Sequence, residues 1–175
     1  MTLPLGDLIE RAVAGDVQAQ KTLYDQFVVK IHRLAARMVG VADAADVSQQ
    51  TFLKMFRGLP NFHGKANFST WLYRIAVNEC LQHRRRQRRP FQELPAELPD
   101  PSAQPTLRVE QADLLQHALT KLDEKLRAIF LLREVEELSY EQIAEVLEIP
   151  TGTVASQLNR ARAELRSYLS KAMSE

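Results

Sequence analysis

Gly152-Thr153-Val154-Ala155-Ser156-Gln157-Leu158-Asn159-Arg160-Ala161-Arg162 closes a stretch, 114–168, that reads as helix, short helix, turn, helix. Val154, Leu158, Ala161, Leu165 and Leu169 recur at helical spacing and predict the buried stripe of the last helix. Its first turns then turn Ala155, Ser156, Asn159 and Arg160 outward. A polar, arginine-bearing helix at the end of a helix-turn-helix has the shape that enters the DNA major groove. Arg162 and Arg166 fall further along, where phosphate or solvent is the expected neighbour. Around this helix the spacing predicts helices over 106–121, 124–136, 140–147 and 152–172. Ser139 and Gln142 sit at capping-box spacing before the third.

Upstream the pattern is again helical, and no period-two alternation is visible anywhere. A short helix over 5–14 should end at Gly15. A second, capped by Asp16, should run to about Val39 and stop at Gly40. A third is expected over 42–57, ended by Gly58 and Pro60. A fourth should start near Ser69, its expected N-cap, and run into the arginines at 84–89.

Two of these helices carry unusual faces. The third has a core stripe of Phe52, Met55, Phe56 and Leu59, and its opposite face holds Asp43, Asp46, Gln49, Gln50 and Arg57. Leu53 falls among those polar residues. A large apolar side chain there is a sign of a protein interface, although a lone exposed leucine is the commoner meaning. The fourth helix aligns Arg74, Asn78, Gln82 and Arg85 at steps of four, four and three. Guanidiniums and side-chain amides are the groups that read base edges and phosphates. Just before it, Asn61-Phe62-His63-Gly64-Lys65-Ala66-Asn67-Phe68-Ser69-Thr70-Trp71 combines small, polar and aromatic residues, as a loop holding an unstacked base would. Phe68 and Trp71 also read as core, and for Trp71 that reading is at least as strong as base contact.

Charge separates these regions. Residues 63–89 hold Lys65, Arg74, Arg84, Arg85, Arg86, Arg88 and Arg89 against Glu79 alone, whereas 90–105 hold only Glu93, Glu97 and Asp100 as charged groups. The basic block suits a polyanion, or equally a solvated helix end favoured by the helix dipole. Prolines 90, 95, 99, 101 and 105 prevent a long helix, so 90–105 is expected to be an extended linker between helical domains at 1–89 and 106–175. The latter carries nine Lys and Arg against twelve Asp and Glu, so phosphate attraction alone should bind it weakly to DNA.

Other classes find little support. The single cysteine, Cys80, excludes an internal disulfide, and His63, Cys80 and His83 lack a fourth ligand at metal-site spacing; no cofactor is expected. No acidic metal cluster, glycine-rich phosphate loop or spaced Ser/His/Asp set suggests an enzyme. No apolar run approaches the ~20 residues that span a bilayer. The first residues lack the basic start and apolar core of a signal peptide, so a cytosolic location is expected and no membrane insertion.

Three segments together resemble a known family. Asp43-Ala44-Ala45-Asp46-Val47-Ser48-Gln49-Gln50-Thr51-Phe52 resembles the core-polymerase-binding segment of bacterial sigma-70-class RNA polymerase sigma factors, in their extracytoplasmic-function (ECF) group. Phe68-Ser69-Thr70-Trp71-Leu72-Tyr73-Arg74-Ile75-Ala76-Val77-Asn78 resembles the group's −10 melting and recognition segment. The stretches 126–134, 138–144 and 152–154 resemble its −35-binding domain. The resemblance implies an all-α protein with a four-helix N-terminal domain and a C-terminal helix-turn-helix domain. It implies a non-catalytic subunit that binds core RNA polymerase, through the β′ clamp and β flap, and directs initiation at promoter DNA. Asp46, Gln49, Gln50 and Leu53 would dock on the β′ coiled coil. The loop from Lys65 to Ser69, with Asn67 and Phe68, would capture a flipped base, and Asn78 would help read the −10 element. Arg133, Ser156 and Arg160 match positions that contact the −35 element. Members are often held inactive by an anti-sigma factor, which the resemblance implies as a further partner.

The chain departs from the group at five places. Ala155 and Gln157 stand where members often carry basic residues, so an altered −35 preference is expected. Gln50 replaces a common Glu. Glu137 and Glu148 stand where many have Gly, and a non-glycine residue in a left-handed turn costs about 1 kcal/mol. The main rival reading is a stand-alone helix-turn-helix regulator that acts without polymerase, which would leave the basic helix over 71–89 without a role. A protein-binding adaptor fits the arginine run poorly.

Overall fold

The computed structural model describes residues 4–64, 67–87 and 107–172, except the side chains of 107–113. The expected linker over 90–105 and Lys65 lie outside the described residues. Among the described residues there are eight α-helices, one short 3-10 turn and no strand. They are α1 (Leu5–Val13), α2 (Val17–Val39), α3 (Val41–Gly58), the 3-10 turn (Leu59–Asn61), α4 (Phe68–Gln87), α5 (Leu107–Lys121), α6 (Glu124–Glu134), α7 (Tyr140–Leu147) and α8 (Thr151–Ala172).

Local chemistry sets the helix ends. Gly15 adopts φ 89, a conformation that lets the chain leave α1. Asp16 then caps α2: its Oδ1 accepts from Gln18 N–H at 2.9 Å and Ala19 N–H at 3.1 Å. Arg11 donates to the same carboxylate at 2.5 Å. The Arg11 bond first, and the Ala19 N–H next, hold that carboxyl below the usual range. Gly40, at φ 101, makes the corner between α2 and α3.

Two expected helix boundaries have different causes. Gly58 does not terminate α3 through a left-handed turn; it is the last helical residue, with φ −84. Packing favours the glycine there, because a Cβ would stand 3.1 Å from the Trp71 ring, which would have to shift by a few tenths of an ångström. At α4 the cap is Asn67 and not Ser69. Asn67 Oδ1 accepts from Ser69 N–H at 3.0 Å and from Ser69 Oγ at 2.9 Å. Ser69 therefore stands one residue inside the helix, in the position whose N–H needs the cap.

The N-terminal lobe packs α1 on α2 and α3 across both α2 and α4. Leu23, Ile31, Leu34, Met38, Met55 and Leu72 are its largest fully buried apolar side chains. Each is worth about 1.5–3 kcal/mol of burial. Lys54 donates to Glu79, joining α3 to α4 and giving the single acidic group of the basic block a partner. The C-terminal lobe seats α8 on α5, α6 and α7, through the stripe Val154, Leu158, Ala161 and Leu165.

The lobes pack on one another. Helix α4 lies against α7, and α2 meets α5 and α6. Arg127, 2% exposed, ties this junction together. Its guanidinium donates to Leu119 O at 2.7 Å, Thr120 O at 2.9 Å and Leu122 O at 3.3 Å, and across the lobes to Met38 O at 2.7 Å. Carbonyls at the C-terminal ends of α2 and α5 thus share one cation, the charge sign those ends favour.

Candidate nucleic-acid and polymerase interfaces

On α3, Asp46, Gln49, Gln50 and Leu53 form one exposed strip, with Leu53 42% exposed. Asp43 is separate from it. Its carboxylate accepts from Gln87 Nε2 at 2.8 Å and lies 3.2 Å from His83 Nε2, so it is turned to the far end of α4. Beside the strip runs a groove of about 430 Å³ between α2 and α3, lined by Tyr24, Val28, His32, Gln49, Leu53 and Phe56 among others. In the groove wall Ser48 Oγ is buried and has no hydrogen-bond partner among the described residues. Leu53 is therefore one side of an apolar groove and not an isolated leucine. The α2 contribution was missed from sequence. Its signal is Tyr24, Val28 and His32 at successive steps of four, on a helix whose other apolar residues account for the core.

On α4, Asn78, Gln82 and Arg85 are exposed on one face, and Arg74 is half-buried at its edge. At the start of the helix, Asn67 is exposed and Ser69 half-buried, both committed to the cap described above. Phe68 differs from the expectation of a base-facing residue: it is 3% exposed. Its ring lies 5.4 Å from Phe27, 5.5 Å from Phe62 and 5.6 Å from Trp71. An aromatic cluster of this kind gains more from mutual packing than from standing free. Phe68 is the anchor that sets where Asn67 and Ser69 stand. Cys80 is buried on the opposite side, and burial pushes its thiol up to about 12.

In the C-terminal lobe, Ser139 and Gln142 form the expected reciprocal capping box at the start of α7. Both suspected turn positions are left-handed: Glu137 has φ 57 and Glu148 φ 54. On α8, Ser156, Asn159 and Arg160 are exposed and Ala155 half-buried beside them. Ser156 Oγ donates to Thr153 O at 2.9 Å, and Arg160 Nε to Glu164 at 2.8 Å. Arg133 has a structural task as well. It donates to Leu138 O at 2.8 Å and lies 5.5 Å from the Tyr140 ring centroid, bracing the turn into α7.

The two candidate reading faces come close together at the lobe junction. Tyr73, 4% exposed, donates its hydroxyl to Glu136. Burial first, and the Glu136 bond next, push its phenol well above the usual range. Gln142 Nε2 donates to Thr70 Oγ1 at 3.4 Å. Arg84 Nε lies 3.3 Å from Glu124 Oε1, and Arg74 Nη1 lies 3.9 Å from Glu148 Oε1. No helix among the described residues is long and apolar enough to cross a membrane. None of those residues form a group of three or more His, Cys, Asp or Glu able to hold a metal.

The fold and these faces define an all-helical protein with a helix-turn-helix lobe and a second lobe built around a basic helix. Residues 23–90 match Sigma-70 region 2, and residues 112–165 match Sigma-70, region 4. The RNA polymerase sigma-H factor of Pseudomonas aeruginosa is 38% identical over 183 residues, covering 96% of this chain and 95% of that protein. The ECF RNA polymerase sigma-E factor of Haemophilus influenzae is 34% identical over 180 residues, covering 95% of each. Among solved structures, that of CnrH in complex with the cytosolic domain of CnrY aligns at 27% identity with a TM-score of 0.73, covering 94% of this chain and 96% of that one. The chain belongs to the sigma-70 family of RNA polymerase sigma factors, in the ECF group.

Proposed function

We propose that the chain works as a dissociable, non-catalytic initiation subunit of the cytoplasm. It binds core RNA polymerase and directs promoter-specific initiation by reading −10 and −35 elements. The observation that carries this is the coexistence, in one chain, of the outward α8 face, the exposed α4 face and the α3 strip. Both family matches span those elements. The N-terminal domain, 1–89, takes polymerase and the −10 element; 90–105 links it to the −35 domain, 106–175.

The α3 strip of Asp46, Gln49, Gln50 and Leu53 docks on the β′ clamp, and the neighbouring groove with Tyr24, Val28 and His32 extends that surface. Asp43 contributes indirectly, by fixing α3 to α4. Asn78, Gln82 and Arg85, with Arg74, face the −10 DNA, while Lys65, Asn67 and Ser69 form the base-capturing loop over the Phe68 anchor. Ser156, Asn159 and Arg160 face the −35 element beside Ala155, and Arg133 holds the turn that aims them. The β flap is the expected contact of the C-terminal domain. An anti-sigma factor is a further partner. The complex of CnrH with the cytosolic domain of CnrY supports a protein partner of this kind.

Abortive initiation by purified core polymerase on promoters randomised at −35 and −10 tests the reading. Initiation that depends on this chain and enriches a motif pair is expected. Tight, sequence-specific DNA binding by the free chain, with no association with core polymerase, would overturn it in favour of a stand-alone regulator.

A further inference from the structure

The groove between α2 and α3 arises from side-chain size. Ala45 and Ser48, on adjacent turns of α3, are too small to fill the space beside α2. Tyr24 and Val28 of α2, with Phe52, Leu53 and Phe56 of α3, wall the depression that results. Its mouth opens to solvent, with Tyr24 40% and Leu53 42% exposed. The volume of about 430 Å³ falls within the ~300–1,000 Å³ of small-molecule sites.

Ser48, 6% exposed, lines this space with a hydroxyl that has no hydrogen-bond partner among the described residues. Thr51, nearly one turn further along α3 and fully buried, behaves differently. It donates its hydroxyl to Val47 O, four residues back, at 2.8 Å. Ser48 has the same option at Ala44 O and does not use it. A buried hydroxyl without a partner is unfavourable. An occupant offering it a donor or acceptor therefore gains a hydrogen bond for which no protein group competes.

The rest of the lining restricts what that occupant is. Among the described residues, no Lys, Arg, Asp or Glu lines the groove, so an ionised ligand would shed water without meeting a counter-charge. Three of the lining side chains are aromatic, and the Tyr24 and Phe52 rings stand 4.7 Å apart, tilted by 59°. Such rings favour a further ring, stacked or edge-on. A partner's helix, about 10 Å across with its side chains, would span the mouth. One or two fused rings can enter far enough to reach the hydroxyl in the wall.

We infer that the groove is a site for a small, neutral aromatic molecule carrying one hydroxyl or N–H group, which bonds Ser48 Oγ and competes with polymerase for α3. The competition rests on the proposed docking of the α3 strip on polymerase, because Gln49 and Leu53 belong to both surfaces.

The probes that test it are 2-naphthol and naphthalene, which differ by one hydroxyl. In proton–nitrogen correlation spectra of the full chain, 2-naphthol should shift amides of 24–32 and 45–56 saturably. It should bind about fivefold tighter than naphthalene, the worth of one hydrogen bond. Ser48→Ala should erase that difference and leave naphthalene binding in place. Val28→Trp, which fills the groove from α2, should weaken both probes while keeping a dispersed spectrum. Equal affinity for the two probes in the parent, or shifts confined to other surfaces, would overturn the site. Loss of polymerase binding in Ser48→Ala, with neither probe bound by the parent, would assign the hydroxyl to polymerase and overturn it too. Anisotropy of the fluorescein-labelled chain with core polymerase reads the competition. At about ten times its dissociation constant, 2-naphthol should weaken polymerase binding about tenfold. Unchanged polymerase affinity with the groove occupied would overturn the competition. If the chain binds no polymerase even without probe, the docking reading fails, while the spectra still decide the site.

Discussion

Replacing Arg127 with Met should separate the stability of the two lobes. The guanidinium is buried and bonded to four backbone carbonyls, three at the end of α5 and one, Met38 O, at the end of α2. Methionine fills a similar volume but donates nothing. Each buried carbonyl left without a donor costs about 1–3 kcal/mol. Met38 O and Thr120 O set the scale, since Leu119 O keeps the Leu122 N–H at 3.2 Å, and relief of the buried charge offsets the rest. The expected loss is about 4 kcal/mol, a large share of the ~5–15 kcal/mol that stabilises a typical fold. At about 2–4 °C per kcal/mol, the melting midpoint should fall by about 10 °C.

Urea unfolding followed by two probes gives the assay. Far-ultraviolet circular dichroism sees all helices, whereas fluorescence sees only Trp71, the single tryptophan, in the N-terminal lobe. In the parent the two curves should nearly coincide. In Arg127→Met the dichroism should fall at lower urea than the fluorescence, because α5 and α6 lose their tie first. Arg127→Lys, which keeps the charge but gathers its donors on one nitrogen, should fall between. A loss below about 1 kcal/mol for Arg127→Met would refute the reasoning, since guanidinium desolvation would then cancel the carbonyl bonds.

Three further outcomes are expected. Asp16→Ala should lower the unfolding midpoint at pH 7, by an amount that shrinks as the pH falls below 3.8. The folded carboxyl lies below its unfolded value near 3.8, so its contribution is present above that pH and vanishes as pH falls through the folded value. Ultraviolet titration should show a tyrosine component that resists ionisation until the chain unfolds, a component that Tyr73→Phe removes. The Tyr73 contribution has the opposite sign: it is complete below the ordinary phenol value near 10 and is lost only as pH rises through the raised folded value. Glu137→Gly should raise the midpoint by the equivalent of about 1 kcal/mol, because the left-handed turn no longer carries a Cβ; a lower midpoint in calorimetry would contradict that.

The periodicity of apolar residues determined the eight helices and the buried stripe of α8, because a helix buries one face at fixed angular steps and leaves a pattern readable without neighbours. Asp16, Ser139 and Gln142 were legible as caps for the same reason: capping is chemistry within a few residues. The left-handed turns at Glu137 and Glu148 could be suspected through the family resemblance, which places Gly there, and the turns bear this out. What tertiary structure alone decided is where a helix face meets another helix. Phe68 could face a base or the core, and Phe27, from a helix 41 residues away, completes the cluster that makes it core. Gly58 looked like a stop signal, yet it is helical and lies tight against the Trp71 ring. Asp43 shares a helical face with Asp46, but Gln87 and His83 draw it to the other side. Arg127 carried no local signal at all, because its acceptors are carbonyls that every sequence has. Long-range packing of this kind depends on which surfaces are brought together, and spacing along one helix does not encode its partner.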